Sequence, residues 1–271
     1  HNLPVQANNV SILGNGMLSH RAATTSQEYA LRLVVSDTLL ISVTGKIDVT
    51  GRGYLAGYTL GNTTVGATTG TSGGSYGGLG RDAGSGVANN AYGDYRNPNE
   101  PGSGGGPGGG AGGGLARITA GTAVIEGSIL ANGANGAGAG SGGGLLLNVG
   151  SLAGSGVIAA NGAASSFSGG SGGGGRVAVY YWGSMTLPAA NVSANAGTGG
   201  VGAGQPGSRY ILDSTTQRVN ALKRRHGVGC NGRPEIFIPV VKVNREKISD
   251  FRSGKFSNFI THFAKQRVGG D

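Results

Sequence analysis

Short apolar stretches, broken by glycine and asparagine, recur along the body of the chain. Three copies begin at Leu115, Leu145 and Arg176, and each holds two apolar stretches that precede an Ala-Asn pair. Bursts of Val, Ile, Leu and Tyr bounded by Gly and Asn predict β-strands rather than helices. A degenerate copy covers residues 33–51 and a partial copy covers residues 209–213. The pattern therefore predicts a repeated strand–turn–strand unit.

The asparagine of the Ala-Asn pair recurs at Asn132, Asn161 and Asn195, with spacings of 29 and 34 residues. Repeats of this size bury their apolar faces by stacking on their neighbours, which is typical of a solenoid. We therefore predict an all-β fold, a right-handed parallel β-helix of about four coils. The three asparagines should form a turn ladder, since Asn tolerates the left-handed conformation and bonds its own backbone in turns. A β-sandwich is the alternative, although sandwich turns rarely repeat their sequence.

Glycine accounts for 59 of the 271 residues and is concentrated in runs at residues 104–114, 136–144 and 169–175. Each run leads directly into an apolar strand, so it lies within the repeat. One interpretation is a flexible loop, which is the usual meaning of Gly-rich stretches. The other is an ordered, polyproline-II-like loop whose backbone groups pair with neighbouring segments, and we favour it.

The composition changes near residue 220, which predicts a domain boundary. Residues 1–220 have a net charge of +2 and form the predicted glycine-rich solenoid, with a long insertion at 52–114. Residues 221–271 have a net charge of +7 and form a predicted basic cap or connector with a strand and a helix. Binding of a polyanion is a third interpretation of this segment, although nothing in it resembles a nucleic-acid-binding fold. One face of its helix, typical of a packing surface, would carry Phe256, Phe259, Ile260 and Phe263.

Four motifs occur in a distinctive order along the chain. They are Gly73-Gly-Ser-Tyr-Gly-Gly-Leu-Gly80, Tyr92-Gly-Asp with Pro98 and Pro101-Gly-Ser-Gly-Gly-Gly106, Gly127-Ser-Ile-Leu-Ala-Asn-Gly133, and Gly172-Gly-Gly-Gly-Arg-Val-Ala-Val-Tyr-Tyr181. Over about residues 30–213 the chain resembles the glycine-rich parallel β-helix repeat regions of large secreted and surface proteins of bacteria and some microbial eukaryotes. The resemblance implies a structural or adhesive role outside the cell and no catalytic residues.

The insertion carries most of the candidate chemistry. Its aromatic residues either bind a glycan or a partner, or cover the flank of the solenoid; they are Tyr54, Tyr58, Tyr76, Tyr92 and Tyr95. Asp94 and Glu100 are weak candidates for calcium ligands, because carboxylates in such loops more often form turns. Otherwise we predict no metal, no cofactor and no catalytic residue, since the carboxylates do not stack in pairs.

These observations predict a secreted, non-enzymatic structural protein at the cell surface or outside the cell. Its main partner would be itself, as the self-assembling subunit of a fibre, sheath or surface layer. Two alternatives remain: a cell-surface or phage-tail adhesin that binds surface polysaccharide, and a polysaccharide-degrading β-helix enzyme. Nucleic acid is not an expected partner, and no apolar stretch is long enough for a transmembrane helix.

Overall fold

The computed structural model describes residues 3–166 and 168–215. The predicted basic segment, with Phe256, Phe259, Ile260 and Phe263, lies outside the described residues.

The strands of the described residues form two sheets, and every strand pairing is parallel. In the larger sheet the strand order is β1-β4-β6-β8-β10-β12, with β2 beside β4, and in the smaller sheet it is β11-β9-β7-β5-β3. One short 3-10 helix, Ala189–Asn191, precedes β11. The strands are β1 Val5–Ala7, β2 Val10–Ile12, β3 Met17–Leu18, β4 Ala30–Ile41, β5 Lys46–Asp48, β6 Leu115–Ile125, β7 Ser128–Leu130, β8 Gly144–Ala153, β9 Val157–Ala159, β10 Arg176–Tyr181, β11 Val192–Ser193 and β12 Ser208–Asp213.

The chain alternates between the two sheets and forms a β-solenoid, as the repeat predicts. The solenoid has about six turns, so the prediction of about four was wrong. The additional first turn consists of β1, β2 and β3, which pair with β4 and β5. Its strands are only two or three residues long, too short to stand out as a copy of the repeat. The partial copy at residues 209–213 lies in β12, which begins the last turn.

The core consists of columns of aliphatic side chains from successive turns. Leu33, Ile118, Leu147 and Val179 are in register on β4, β6, β8 and β10, and each is at most 1% exposed. Burying each such side chain contributes roughly 1.5–3 kcal/mol. A matching column on the smaller sheet consists of Ile47, Ile129, Ile158 and Val192.

Glycine-rich segments follow the strands of the smaller sheet and stack from turn to turn. Gly113 N donates to Ser141 O, Gly142 N to Gly173 O and Gly174 N to Gln205 O, each at 2.9 Å. The insertion packs on these segments through the same kind of bond. Gly74 N, for example, donates to Ala139 O at 2.9 Å, and Gly77 N donates to Gly174 O at 3.1 Å. The glycine runs are therefore paired with neighbouring backbone.

This pairing leaves no room for side chains. A Cβ atom added to Gly105, Gly140 or Gly143 would overlap a backbone carbonyl oxygen of another segment. None of these three glycines has a positive φ, so the conformational freedom of glycine is not the reason for its presence. Close approach of backbones, with Cα–H groups directed at carbonyl oxygens, is the reason.

We expect Gly140→Ala to lower the free energy of unfolding by about 3 kcal/mol, because the new methyl group would overlap the carbonyl oxygen of Ala111. To relieve the overlap, one of the two backbone segments would have to move and would lose hydrogen bonds to its neighbours. Gly66→Asn is the control, since Gly66 has a φ of +71° and open space around it. Asn tolerates that conformation. Urea unfolding midpoints compare the variants, and an unchanged midpoint for Gly140→Ala would contradict the packing argument.

Candidate binding surface

The insertion is held against the outer face of the larger sheet by arginines. Arg117 on β6 donates from Nη1 to Pro98 O at 2.7 Å and from Nη2 to Asn97 Oδ1 at 2.9 Å. Arg176 on β10 donates to Tyr92 O from Nε at 2.9 Å and from Nη2 at 2.6 Å. Loop 92–101 is therefore fastened to two strands of the sheet.

Two of the five predicted binding tyrosines are buried within the insertion, and two more are half-buried. Tyr54 and Tyr76 are 1% and 0% exposed, and burial raises the pKa of both hydroxyls above the ordinary range. Tyr92 packs on Tyr76 with ring centroids 4.9 Å apart, and its hydroxyl donates to Pro101 O at 2.7 Å. Tyr58 is half-buried. The rings of Tyr54 and Tyr76 are therefore inaccessible to a glycan, and they pack the insertion together.

A buried polar cluster forms a second core beneath these rings. Asn89 Oδ1 accepts bonds from Thr68 Oγ1 and Ser75 N, both at 2.8 Å. Asn89 Nδ2 lies 3.2 Å from Thr59 Oγ1 and 3.1 Å from Ser103 Oγ. Because these groups satisfy one another, the cluster stabilises the insertion and presents no group to a ligand.

Tyr95 is the exposed member of the predicted set, at 41%. Its ring meets that of Tyr210 edge-on, with centroids 5.5 Å apart, and Tyr180 lies 5.7 Å from Tyr210. The Arg96 guanidinium stands 5.2 Å from the Tyr95 ring and 5.9 Å from the Tyr210 ring. Tyr95, Tyr180 and Tyr210 are far apart in the sequence, so the sequence pattern does not indicate this grouping, and Tyr180 and Tyr210 were not predicted as site residues.

A shallow hollow of about 370 Å³ adjoins this cluster, between loop 92–101 and the outer faces of β6, β8 and β10. No carboxylate is among its lining residues, which are Arg96, Asn97, Arg117, Leu146, Asn148 and Tyr180. None of them is among the tyrosines predicted to bind a glycan or a partner.

The carboxylates of the two calcium candidates both accept hydrogen bonds from groups of the insertion. Asp94 Oδ1 accepts from Arg96 N at 2.8 Å, which closes a turn. Glu100 Oε2 accepts from Tyr76 hydroxyl at 3.2 Å and from Asn99 N at 3.3 Å. In residues 3–166 and 168–215, no group of three or more His, Cys, Asp or Glu side chains could hold a metal ion. Calcium binding at Asp94 and Glu100 stays a prediction.

The three repeated asparagines are linked in a row across successive turns. Asn161 N donates to Asn132 Oδ1 at 2.8 Å, and Asn195 N donates to Asn161 Oδ1 at 2.7 Å. The predicted left-handed conformation was wrong, because Asn62 is the non-glycine residue with positive φ among those described. The side-chain oxygens of Asn132 and Asn161 instead each accept a backbone N–H from the next turn.

No protein-family model matches the chain, and comparison with curated proteins and with solved structures found no match. The resemblance to glycine-rich β-helix repeat regions therefore stays a prediction. Within the part of the chain that the structure describes, no helix is long and apolar enough to cross a membrane.

We expect Asn161→Ala to lower the free energy of unfolding by about 1 kcal/mol, because Asn195 N loses its acceptor. Asn161→Asp keeps an oxygen at the same position and should stay closer to the parent protein. Urea titrations of the three proteins provide the measurement. Equal losses in both variants would show that the bond between turns contributes nothing.

Proposed function

We propose that the protein is a secreted, non-enzymatic structural protein that assembles with copies of itself into an extracellular fibre, sheath or surface layer. The observation that supports this proposal most is the uncharged edge of the first turn, with its exposed aliphatic side chains. The second supporting observation is the backbone packing of the glycine segments, which leaves the body of the solenoid little conformational freedom.

The glycine segments support a mechanical role. We propose that they adopt polyproline-II-like conformations around a right-handed solenoid, since polyproline II leaves the N–H and C=O groups of each segment free for lateral bonds. Such a segment bonds to neighbours on more than one side: Gly113 N donates to Ser141 O, while Gly113 O accepts from Gly102 N, both at 2.9 Å. A segment held on two sides resists deformation better than a loop held at its ends.

The first turn has the properties of a stacking surface. Residues 1–20 contain no Asp, Glu, Lys or Arg. Among the described residues, β1, β2 and β3 each have a strand partner on one side. Leu3, Val5, Leu13 and Met17 are more than half exposed around these edges. Charged side chains are one of the features by which natural edge strands avoid pairing with another chain, and residues 1–20 contain none.

A second copy is the occupant that fits these edges. Its strands would continue both parallel ladders and cover the exposed aliphatic side chains of the first turn. Contact between two different surfaces of identical copies is heterologous and propagates into a filament unless the rotation closes a ring. We therefore propose a fibre or sheath rather than a closed dimer.

Charge at the first turn should block assembly. We expect the double variant Val5→Lys/Met17→Lys to stay monomeric at concentrations at which the parent protein forms large species, because stacking would bury two unpaired ammonium groups. Val65→Lys places one lysine on an 81% exposed position outside the first turn and should assemble normally.

Sedimentation velocity over a concentration series, with negative-stain images of the same samples, measures the effect. A parent protein that stays monomeric at its solubility limit would contradict the proposed function. Assembly of the double variant to the same extent as the parent would show that the first turn is not the contact surface.

A further inference from the structure

We propose that the hollow between loop 92–101 and the larger sheet binds an acidic polysaccharide, with one uronate unit over the Tyr180 ring and its carboxylate facing Arg96 and Arg117. This binding activity goes beyond the structural role and depends on a different part of the molecule.

Tyr180 provides a fixed aromatic floor. Its hydroxyl donates to Arg96 O at 2.6 Å, and its ring packs against the Tyr210 ring with centroids 5.7 Å apart. These contacts hold the Tyr180 side chain in place before a ligand binds, so binding costs it little conformational entropy. Tyrosine offers a large, rigid and amphipathic contact area at low entropic cost, which suits the apolar face of a pyranose ring.

Two amides stand beside this ring. Asn148 is exposed on β8, next to Tyr180 in the ladder, and its side chain bonds no other described residue. Asn97 Oδ1 accepts from Arg117 Nη2, which orients its amide nitrogen away from the arginine. An amide group that can both donate and accept suits neighbouring sugar hydroxyls. These groups distinguish the hollow from a simple anion site.

The charge around the hollow favours an acidic ligand. Arg117 and Arg32 are in register on adjacent strands, and Arg117 bonds to neutral oxygens of loop 92–101. Burial lowers the pKa of Arg117, and the neighbouring charge of Arg32 lowers it further. No carboxylate lines the hollow, but two act on its arginines from nearby: the charge of Glu100 favours the charged form of Arg117, and that of Asp94 favours the charged form of Arg96. The three arginines Arg32, Arg96 and Arg117 outnumber these two acids. A carboxylate from the ligand would face Arg96 and Arg117, which both line the hollow, and could form charge-assisted hydrogen bonds with them.

Binding of a short oligogalacturonate to the full chain, measured by titration calorimetry, tests the proposal. We expect Arg96→Gln to weaken binding at least about tenfold and Asn148→Ala to weaken it about fivefold, as for loss of a charged and a neutral hydrogen bond. Arg21→Gln removes the same charge at an exposed position elsewhere and should bind like the parent protein. Unchanged urea midpoints exclude misfolding as the cause.

Two further ligands define the chemical class. A malto-oligosaccharide of equal length should bind at least about tenfold more weakly, and equal binding would overturn the acidic class. A sulfated oligosaccharide that binds while the uronate does not would overturn the carboxylate assignment.

The basic residues 221–271 could also attract a polyanion, and the variants separate the two effects. Parent-like binding by both Arg96→Gln and Asn148→Ala, or an equal loss in Arg21→Gln, would place the binding outside the hollow and overturn the proposal. Parent-like binding by Val5→Lys/Met17→Lys is expected, so failure of assembly and failure of this site are distinguishable.

Discussion

Contact between backbones without intervening side chains is the constraint on which the structure depends. Ordering glycine costs more conformational entropy than ordering any other residue, so runs such as 104–114 would stay mobile without compensation. The compensation is a hydrogen bond for N–H and C=O groups on successive turns, for example Gly142 N to Gly173 O. Each bond contributes about 1 kcal/mol net, and the bonds become available only when Cβ atoms are absent.

The same constraint determines where specific chemistry is located. The stacked glycine segments expose few functional groups, and the aliphatic side chains of the core columns are buried away from solvent. The insertion, with its polar core at Asn89, is the part of the described chain that brings varied side chains together. Arginines on the sheet, Arg117 and Arg176, fasten it over an outer face, and the hollow results from the imperfect fit between loop and sheet.

The strand repeat could be predicted because Ala-Asn pairs recur at Asn132, Asn161 and Asn195. The number of turns could not be, since β1 and β3 contain too few residues to carry a period. The grouping of Tyr95 with Tyr180 and Tyr210 depends on how the insertion folds back onto the sheet, and that segment has no repeat. The burial of Tyr54 and Tyr76 has the same origin, because it follows from packing within a segment of irregular sequence.

The two proposals use different surfaces of the solenoid: self-assembly uses the first turn, and polysaccharide binding uses the outer face of the larger sheet. Stacking through the first turn would leave the outer face of the larger sheet uncovered, so each copy in a filament would display its own hollow. A polysaccharide chain offers many equivalent units, and linked weak sites gain avidity by a factor of about 10²–10⁴ when the geometry allows simultaneous binding. A shallow hollow of modest affinity would therefore be sufficient to hold an assembled fibre in a polysaccharide matrix.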